Sequence, residues 1–141
     1  MNEQEVVGMA IAGAVGLFMM LIGIIVGIFF LLTLYRCLTR VKPENREMEP
    51  ALVWLNLIPF VNLVWIFFTV IKLADSLVAE ARSQSLDLGD GGKALGIAFA
   101  ALSISGIIPI IGFLTGLAGF VTFIIYWIKI AGYANEIKAA A

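Results

Sequence analysis

The chain has 141 residues, of which 62% are hydrophobic and 13% are charged, and its net charge is −1. Soluble domains carry about 25% charged residues, and a chain of this size cannot enclose so much apolar surface in a core of its own. The composition therefore predicts an all-α integral membrane protein with a single membrane domain, residues 1–141. The small net charge and the scattered Lys and Arg residues argue against nucleic-acid binding.

The first apolar segment, residues 6–35, has no charged residue. As a helix it would be about 45 Å long, which exceeds the ~30 Å hydrocarbon core of a bilayer, so we expect a tilted transmembrane helix or one with emerging ends. Small residues recur along it every three or four positions, except that one position of the series is occupied by Met19. Within this series GIIVG at 23–27 is a GxxxG motif. Such a face predicts helix packing, within the chain or against a neighbour. With the glycines of GFLTG near the C-terminal end, the predicted packing residues are Gly8, Ala12, Gly16, Gly23, Gly27, Gly112 and Gly116.

A basic loop, residues 36–50, follows the first segment. Its four cations lie beside a transmembrane end, which predicts that the loop is cytoplasmic. The N-terminal MNEQEVV is acidic where a cleavable signal peptide needs basic residues, so we do not expect a signal peptide there. The cations of the loop are Arg36, Arg40, Lys42 and Arg46.

A second apolar run, residues 51–71, has Pro59 near its centre, with Asn56 and Asn62 three residues to either side. It is either a kinked transmembrane helix or a re-entrant hairpin that turns at Pro59. The residues before the proline would form about 12 Å of helix, too short to span alone. Asparagine side chains can also bind the backbone groups that a turn leaves free. In a hairpin, Trp54 and Trp65 would lie at similar depths as interface anchors.

The rest of the chain predicts a weakly amphipathic helix with a glycine-rich loop, and then a helical hairpin that turns at a second proline. Trp127 near the end of the last segment is a further predicted interface anchor. The bounds are 72–93 for the amphipathic helix and loop, 94–108 for the third transmembrane segment, 109–112 for the turn, and 113–138 for the fourth.

The cations discriminate between the two topologies. If all four segments cross, four of the nine Lys and Arg residues lie with the basic loop and five lie opposite. If 51–71 re-enters, all nine lie on one side and the acidic N-terminus lies on the other, which fits the positive-inside rule far better. We therefore expect three transmembrane segments plus a re-entrant hairpin, rather than four crossings. The N-terminus would be outside a bacterial inner membrane.

The sequence also contains a weak internal repeat. IPFVN at 58–62 is similar to IPIIG at 108–112, and each is followed by an apolar helix that ends in a cation. The distance between the proline and that cation differs by seven residues, about two helical turns, which would preserve the facing surfaces.

The side chains offer little for catalysis. There is no histidine and a single cysteine, Cys37, so the commonest general base and metal ligand is missing. The apolar cores contain no ionisable residue of the kind that proton-coupled transporters use. We expect no catalytic residue, no metal, no cofactor and no small-molecule substrate.

Residues 40–77 resemble a group of small, uncharacterised bacterial multispan membrane proteins. The resemblance is carried by PENR at 43–46, WLNLIP at 54–59 and the following VW, and further along by GDGGKALGIA at 89–98 and IIYWIKIAGYA at 124–134. It implies a bacterial multispan membrane protein, and it implies no activity.

The predicted function is a non-enzymatic membrane scaffold or accessory subunit whose partners are the lipid bilayer and a second copy or another membrane protein. One alternative is an oligomeric channel with a re-entrant constriction at Asn56, Pro59 and Asn62, because uncharged amides around a broken helix can line a pore. A further alternative is a membrane-shaping protein that inserts the hairpin as a wedge.

Overall fold

The computed structural model describes residues 1–137. Within that range the chain is helical and has no β-strand, which confirms the all-α prediction. The helices are α1 (Glu3–Arg40), α2 (Pro59–Ser83), α3 (Lys93–Ser105) and α4 (Pro109–Glu136), with two 3₁₀ helices at Pro43–Asn45 and Pro50–Leu57. Three of them, α1, α2 and α4, are long and apolar enough to cross a membrane, whereas α3 is a shorter apolar helix. Lys138, the last residue of the predicted fourth segment, lies outside the described residues.

The chain divides into two compact units, Met1–Phe30 and Leu31–Ala141. The first unit is a single stretch of α1. Asn2 and Glu5 begin it with a reciprocal capping box, in which the N–H of Glu5 donates to Asn2 Oδ1 (2.9 Å) and the N–H of Asn2 donates to Glu5 Oε2 (3.0 Å). Large apolar side chains along this stretch are exposed, and α1 is apolar and long enough to cross a membrane.

The second unit contains two helical hairpins. The 3₁₀ helix Pro50–Leu57, which we call the short arm, packs against α2, and α3 packs against α4. Because α2 also packs against α3, the two hairpins form one body together with the last turns of α1. The core lies among α1, α2 and α4, and its largest fully buried side chains include Leu34, Leu38, Leu73, Leu77, Tyr126 and Ile130.

The glycine-rich loop between the hairpins is tightly packed. Gly91 has φ +67°, and a Cβ at this position would lie 2.6 Å from the carbonyl oxygen of Ala74. Gly89 also has a positive φ, +61°, but a Cβ there would have no atom within 4 Å. Glycine is therefore required at Gly91 for both backbone conformation and close approach. The contact brings the loop against α2.

Candidate functional site

The candidate site is the turn at Pro59, which joins the short arm to α2. Ile58 has extended backbone (φ −85°, ψ 115°), the conformation favoured before a proline. Pro59 is the first residue of α2, where a missing N–H breaks no helical bond. The N–H of Ile58 donates to Leu55 O (3.1 Å), and the N–H of Asn62 donates to Ile58 O (2.8 Å). The chain thus ends one helix and begins the next within two residues.

Two side chains connect the short arm to α2. Asn56 Nδ2 donates to Thr69 Oγ1 and to Val53 O, both at 2.9 Å. Trp65 Nε1 donates to Leu52 O at 2.8 Å. The bonds from Asn56 to Thr69 and from Trp65 to Leu52 each join residues thirteen positions apart, so the short arm folds back against the first turns of α2. The turn therefore brings Asn56, Pro59 and Asn62 into one hairpin.

Two amide oxygens in this hairpin are buried without a donor. Asn56 Oδ1 and Asn62 Oδ1 make no hydrogen bond within the described part of the chain. A buried polar atom left unpaired costs roughly 1–3 kcal/mol, and native structures contain few of them. Chemically, the two oxygens can accept from a hydrogen-bond donor or coordinate a small cation.

The three predicted interface anchors make contacts inside the second unit. Trp127 Nε1 donates to Thr33 Oγ1 (3.0 Å), which joins α4 to α1, and Trp65 joins the short arm to α2 as described above. The Trp54 ring lies 6.2 Å from the Tyr35 ring, centroid to centroid. All three tryptophans therefore help to hold the unit together.

The glycines of the predicted packing face fall into two groups. Gly112 packs closely inside the α3–α4 hairpin, since a Cβ there would lie 2.5 Å from Gly106 O. The others have no atom within 4 Å of such a Cβ in the described chain, apart from their own helix turn, and Ala12 is exposed. Gly116 lines an apolar groove of about 250 Å³ between α3 and α4, with Phe99, Phe120 and Phe123. The open members of the face are Gly8, Gly16, Gly23, Gly27 and Gly116.

The sequence reasoning missed a buried carboxylate. Glu80 is 0% exposed. Its carboxylate accepts from the Lys42 N–H (2.9 Å), Asn45 Nδ2 (2.9 Å) and Gln84 Nε2 (2.8 Å). It therefore holds the basic loop against α2. The sequence spacing could have predicted this burial. Glu80 follows the buried Leu73 and Leu77 by seven and three residues, which places all three on the same helical face.

Arginine side chains bind the carbonyl groups at two helix ends. Arg46 Nε donates to Leu38 O and Val41 O, both at 2.9 Å, and its Nη2 donates to Thr39 O at 3.1 Å. Arg40 Nη1 donates to Ala134 O near the end of α4. These cations satisfy carbonyls that have no partner inside their own helix and complement the negative end of each helix dipole.

A polar cleft of about 430 Å³ lies beside this network and is lined by charged residues of both signs. Lys93 Nζ is 2.6 Å from Asp75 Oδ1, and Lys72 Nζ is 4.0 Å from Glu47 Oε2. Asp90 accepts from the N–H groups of Ala94 (2.9 Å) and Gly92 (3.0 Å). These two bonds, the first being the stronger cause, and the nearby Lys129 hold the pKa of Asp90 below its usual range.

The charges of this region neutralise one another and cap helices. In residues 1–137 no group of three His, Cys, Asp or Glu side chains is placed to hold a metal ion. Six of the eight described Lys and Arg residues lie near the ends of α1 and α2, at the start of α3 or in the loop after α1, whereas Lys72 and Lys129 lie eleven and seven residues before the ends of α2 and α4. We call this part of the second unit the basic end.

Comparisons with family models, curated proteins and solved structures found no match to the chain. The resemblance to small bacterial multispan membrane proteins therefore stays a prediction.

Proposed function

We propose that the chain is a non-enzymatic integral membrane protein that acts as a self-associating scaffold or accessory subunit in a bacterial plasma membrane. The observation that carries the proposal is the N-terminal unit, a helix with exposed apolar side chains and an open face of small residues. In lipid, such faces let two backbones approach closely enough for van der Waals packing to hold helices together. A second copy or another membrane protein would supply the partner helix.

The proposed orientation places the N-terminus outside and the basic end in the cytoplasm. The acidic residues Glu3 and Glu5 begin α1, whereas the described Lys and Arg residues gather at the basic end. The positive-inside rule favours the cytoplasm for that end. In this orientation α1 crosses the bilayer, and the hairpin at Pro59 enters and leaves on the cytoplasmic side.

A non-enzymatic role is supported by how the charged groups are used. Glu80, Arg46 and Asp90 bind backbone or amide groups, and Asp75 pairs with Lys93. Cys37 is fully buried. Acid–base and nucleophilic catalysis need groups that can reach a substrate, and these side chains are engaged in holding helices and loops.

Self-association is testable with a matched pair of substitutions in α1. Ala12 lies on the small-residue face, and Ala14, two positions along the helix, faces about 160° away; both are exposed. We expect Ala12→Ile to reduce the oligomeric fraction in liposomes, measured by single-molecule photobleaching, and Ala14→Ile to leave it unchanged. A wild-type protein that stays monomeric at every protein-to-lipid ratio would refute self-association.

A channel is the second candidate, favoured by the buried oxygens of Asn56 and Asn62. Amide oxygens are ligands that can replace the hydration shell of a cation. Planar-bilayer recording tests this function, and Asn62→Leu should abolish any wild-type conductance because Leu has a similar size and no oxygen. Silence of folded wild-type protein across ions and voltages would exclude the channel.

A further inference from the structure

The turn at Pro109 repeats the geometry of the turn at Pro59, fifty residues earlier. Ile108 has φ −83° and ψ 114°, within two degrees of Ile58 in both angles. Pro109 is the first residue of α4, as Pro59 is of α2. The N–H of Gly112 donates to Ile108 O (2.6 Å), matching the bond from Asn62 to Ile58. We call the two turns, residues 57–61 and 106–114, the first tip and the second tip.

Both tips present large apolar side chains. Phe60 at the first tip is 85% exposed, and Ile110 and Phe113 at the second are 83% and 87% exposed. The surrounding sequence has no charged residue from 51 to 71 or from 94 to 128. Contiguous exposed apolar surface of this kind needs an apolar partner. A turn that emerged into water on the far side of a membrane would not be expected to carry it.

The shorter helix of each hairpin limits how deeply the hairpin can enter a bilayer. The short arm has eight residues, about 16 Å of 3₁₀ helix. The 13 residues of α3 and the tight turn after them reach about 25 Å. Both lengths fall below the ~30 Å of hydrocarbon. Although α4 is long enough to span by itself, the second tip cannot lie deeper than α3 allows, because the two helices meet at this turn.

The backbone of both tips satisfies some of its own polar groups. Each proline removes one N–H that a helix start would leave unpaired. At the second tip the N–H of Ile107 donates to Ile104 O (3.1 Å) and that of Ile108 to Ser105 O (3.2 Å). The close contact of Gly112 with Gly106 lets one backbone segment cover another. Irregular backbone is tolerated at membrane depth only when its polar groups are satisfied or covered in this way.

We propose that both tips end inside the hydrocarbon layer, where their partners are lipid acyl chains, so that the α3–α4 hairpin re-enters instead of crossing. In this arrangement α1 is the single crossing, and two equivalent hairpins enter from the basic end. The proposal rests on the membrane orientation given under Proposed function, and it replaces the two C-terminal crossings expected from the sequence.

Spin labels on single cysteines in a Cys37→Ala background test the depth of each tip in liposomes. Phe60→Cys and Ile110→Cys report the two tips, and both positions are exposed, so a label displaces no core side chain. Leu17→Cys in α1 gives the reference for the bilayer centre, and the exposed Ser83→Cys gives the aqueous reference. Accessibility to oxygen and to a water-soluble nickel chelate gives the depth of each label.

We expect the labels at both tips, like the label at Leu17, to collide with oxygen several-fold more often than with the chelate. The label at Ser83 should collide more often with the chelate. Chelate accessibility at Ile110 equal to that at Ser83 would overturn the proposal, because the tip would then lie in water. Phe113→Cys gives a second reading of the same tip should Ile110→Cys fail to fold. Labelling a cysteine at Gln4 shows on which side of the membrane α1 begins. This measurement tests the proposed orientation separately from the depth of the tips, so failure of one proposal can be distinguished from failure of the other.

Discussion

Helix termini are capped by charged side chains at the basic end of the second unit but not at its tips. At the basic end, side chains bind the free backbone groups: Arg46 binds the carbonyls that end α1, and Asp90 binds N–H groups at the start of α3. At the tips, α2 and α4 begin at Pro59 and Pro109, and the residues before them, Ile58 and Ile108, make no side-chain cap. Charged capping is cheap in water and costly in hydrocarbon. In the proposed orientation, the basic end is therefore the one that faces water.

Different interactions stabilise the basic end and the tips. Polar bonds fix the loops at the basic end, and removing one partner there leaves buried groups unpaired. Both tips depend on backbone conformation, and the second also depends on the close approach of Gly112 to Gly106, so substitutions of exposed tip residues should act through lipid contact instead. Substitutions at matched positions test whether this division holds.

Glu80→Ala should have the largest effect on stability. It removes the acceptor of three hydrogen bonds, from Lys42, Asn45 and Gln84, and we expect a loss of roughly 3–5 kcal/mol in the free energy of unfolding. Tryptophan fluorescence during denaturation in detergent micelles measures it. Glu44→Ala, an exposed carboxylate in the same loop, should change stability by less than about 0.5 kcal/mol. Equal effects of the two substitutions would show that the buried network does not hold the loop.

Gly91→Ala should cost roughly 2–4 kcal/mol, because the new Cβ combines a left-handed backbone with a contact of 2.6 Å to Ala74 O. Gly89→Ala has a similar φ in open space, so it should cost only the backbone part, about 1–2 kcal/mol. Thermal unfolding of the two variants separates close approach from strain. A Gly91→Ala protein no less stable than Gly89→Ala would mean that the loop can move away from α2.

Asn56→Leu and Asn62→Leu should change the free energy of unfolding by different amounts or in opposite directions. Asn56 donates to Thr69 across the hairpin and to Val53 within the short arm, and the loss of these bonds should cost about 1–2 kcal/mol. Asn62 Oδ1 is buried without a donor among the described residues, so replacing it with Leu should leave stability unchanged or raise it. Parallel denaturation curves check the ranking. A larger loss at Asn62 would indicate that this amide has a partner in the membrane, as a channel or an oligomer would provide.

The pH dependence of stability should show the smallest effect. The folded pKa of Asp90 is lowered, so its carboxylate contributes stability above the unfolded value of about 3.9. That contribution is lost as pH falls through the folded pKa. The stability difference between wild type and Asp90→Asn should be constant near neutral pH and should shrink in acid. A difference that grows in acid would contradict the role of Asp90 in capping α3.

The sequence was a good guide to the turns and a poor guide to buried polar groups. The sequence left open a hairpin or a kinked helix at Pro59 and predicted a turn at Pro109; in the structure the residue before each proline is extended, as the steric clash with the proline ring favours, and each proline is the first residue of a helix. The apolar composition likewise predicted helices. The burial of Glu80 depends on Lys42 and Asn45, which are more than thirty residues away in the chain. Neither local propensity nor hydropathy reports such a long-range contact.

The interface anchors show a second limit of sequence reasoning. Trp65 and Trp127 were expected at the membrane surface because tryptophan is enriched there. Their indole N–H groups donate to Leu52 O and Thr33 Oγ1 inside the unit. Composition predicts the depth of such residues but not the partner of a single N–H group, since that partner is supplied by another helix.

The orientation of the chain is the central claim, and labelling single cysteines with a membrane-impermeant maleimide tests it most directly. The variants Gln4→Cys and Ser83→Cys, each in a Cys37→Ala background, report the start of α1 and the basic end. In intact cells we predict that Gln4→Cys is labelled, and that Ser83→Cys is labelled only after the membrane is permeabilised. Labelling of Ser83→Cys in intact cells, or protection of both positions, would contradict the proposed orientation.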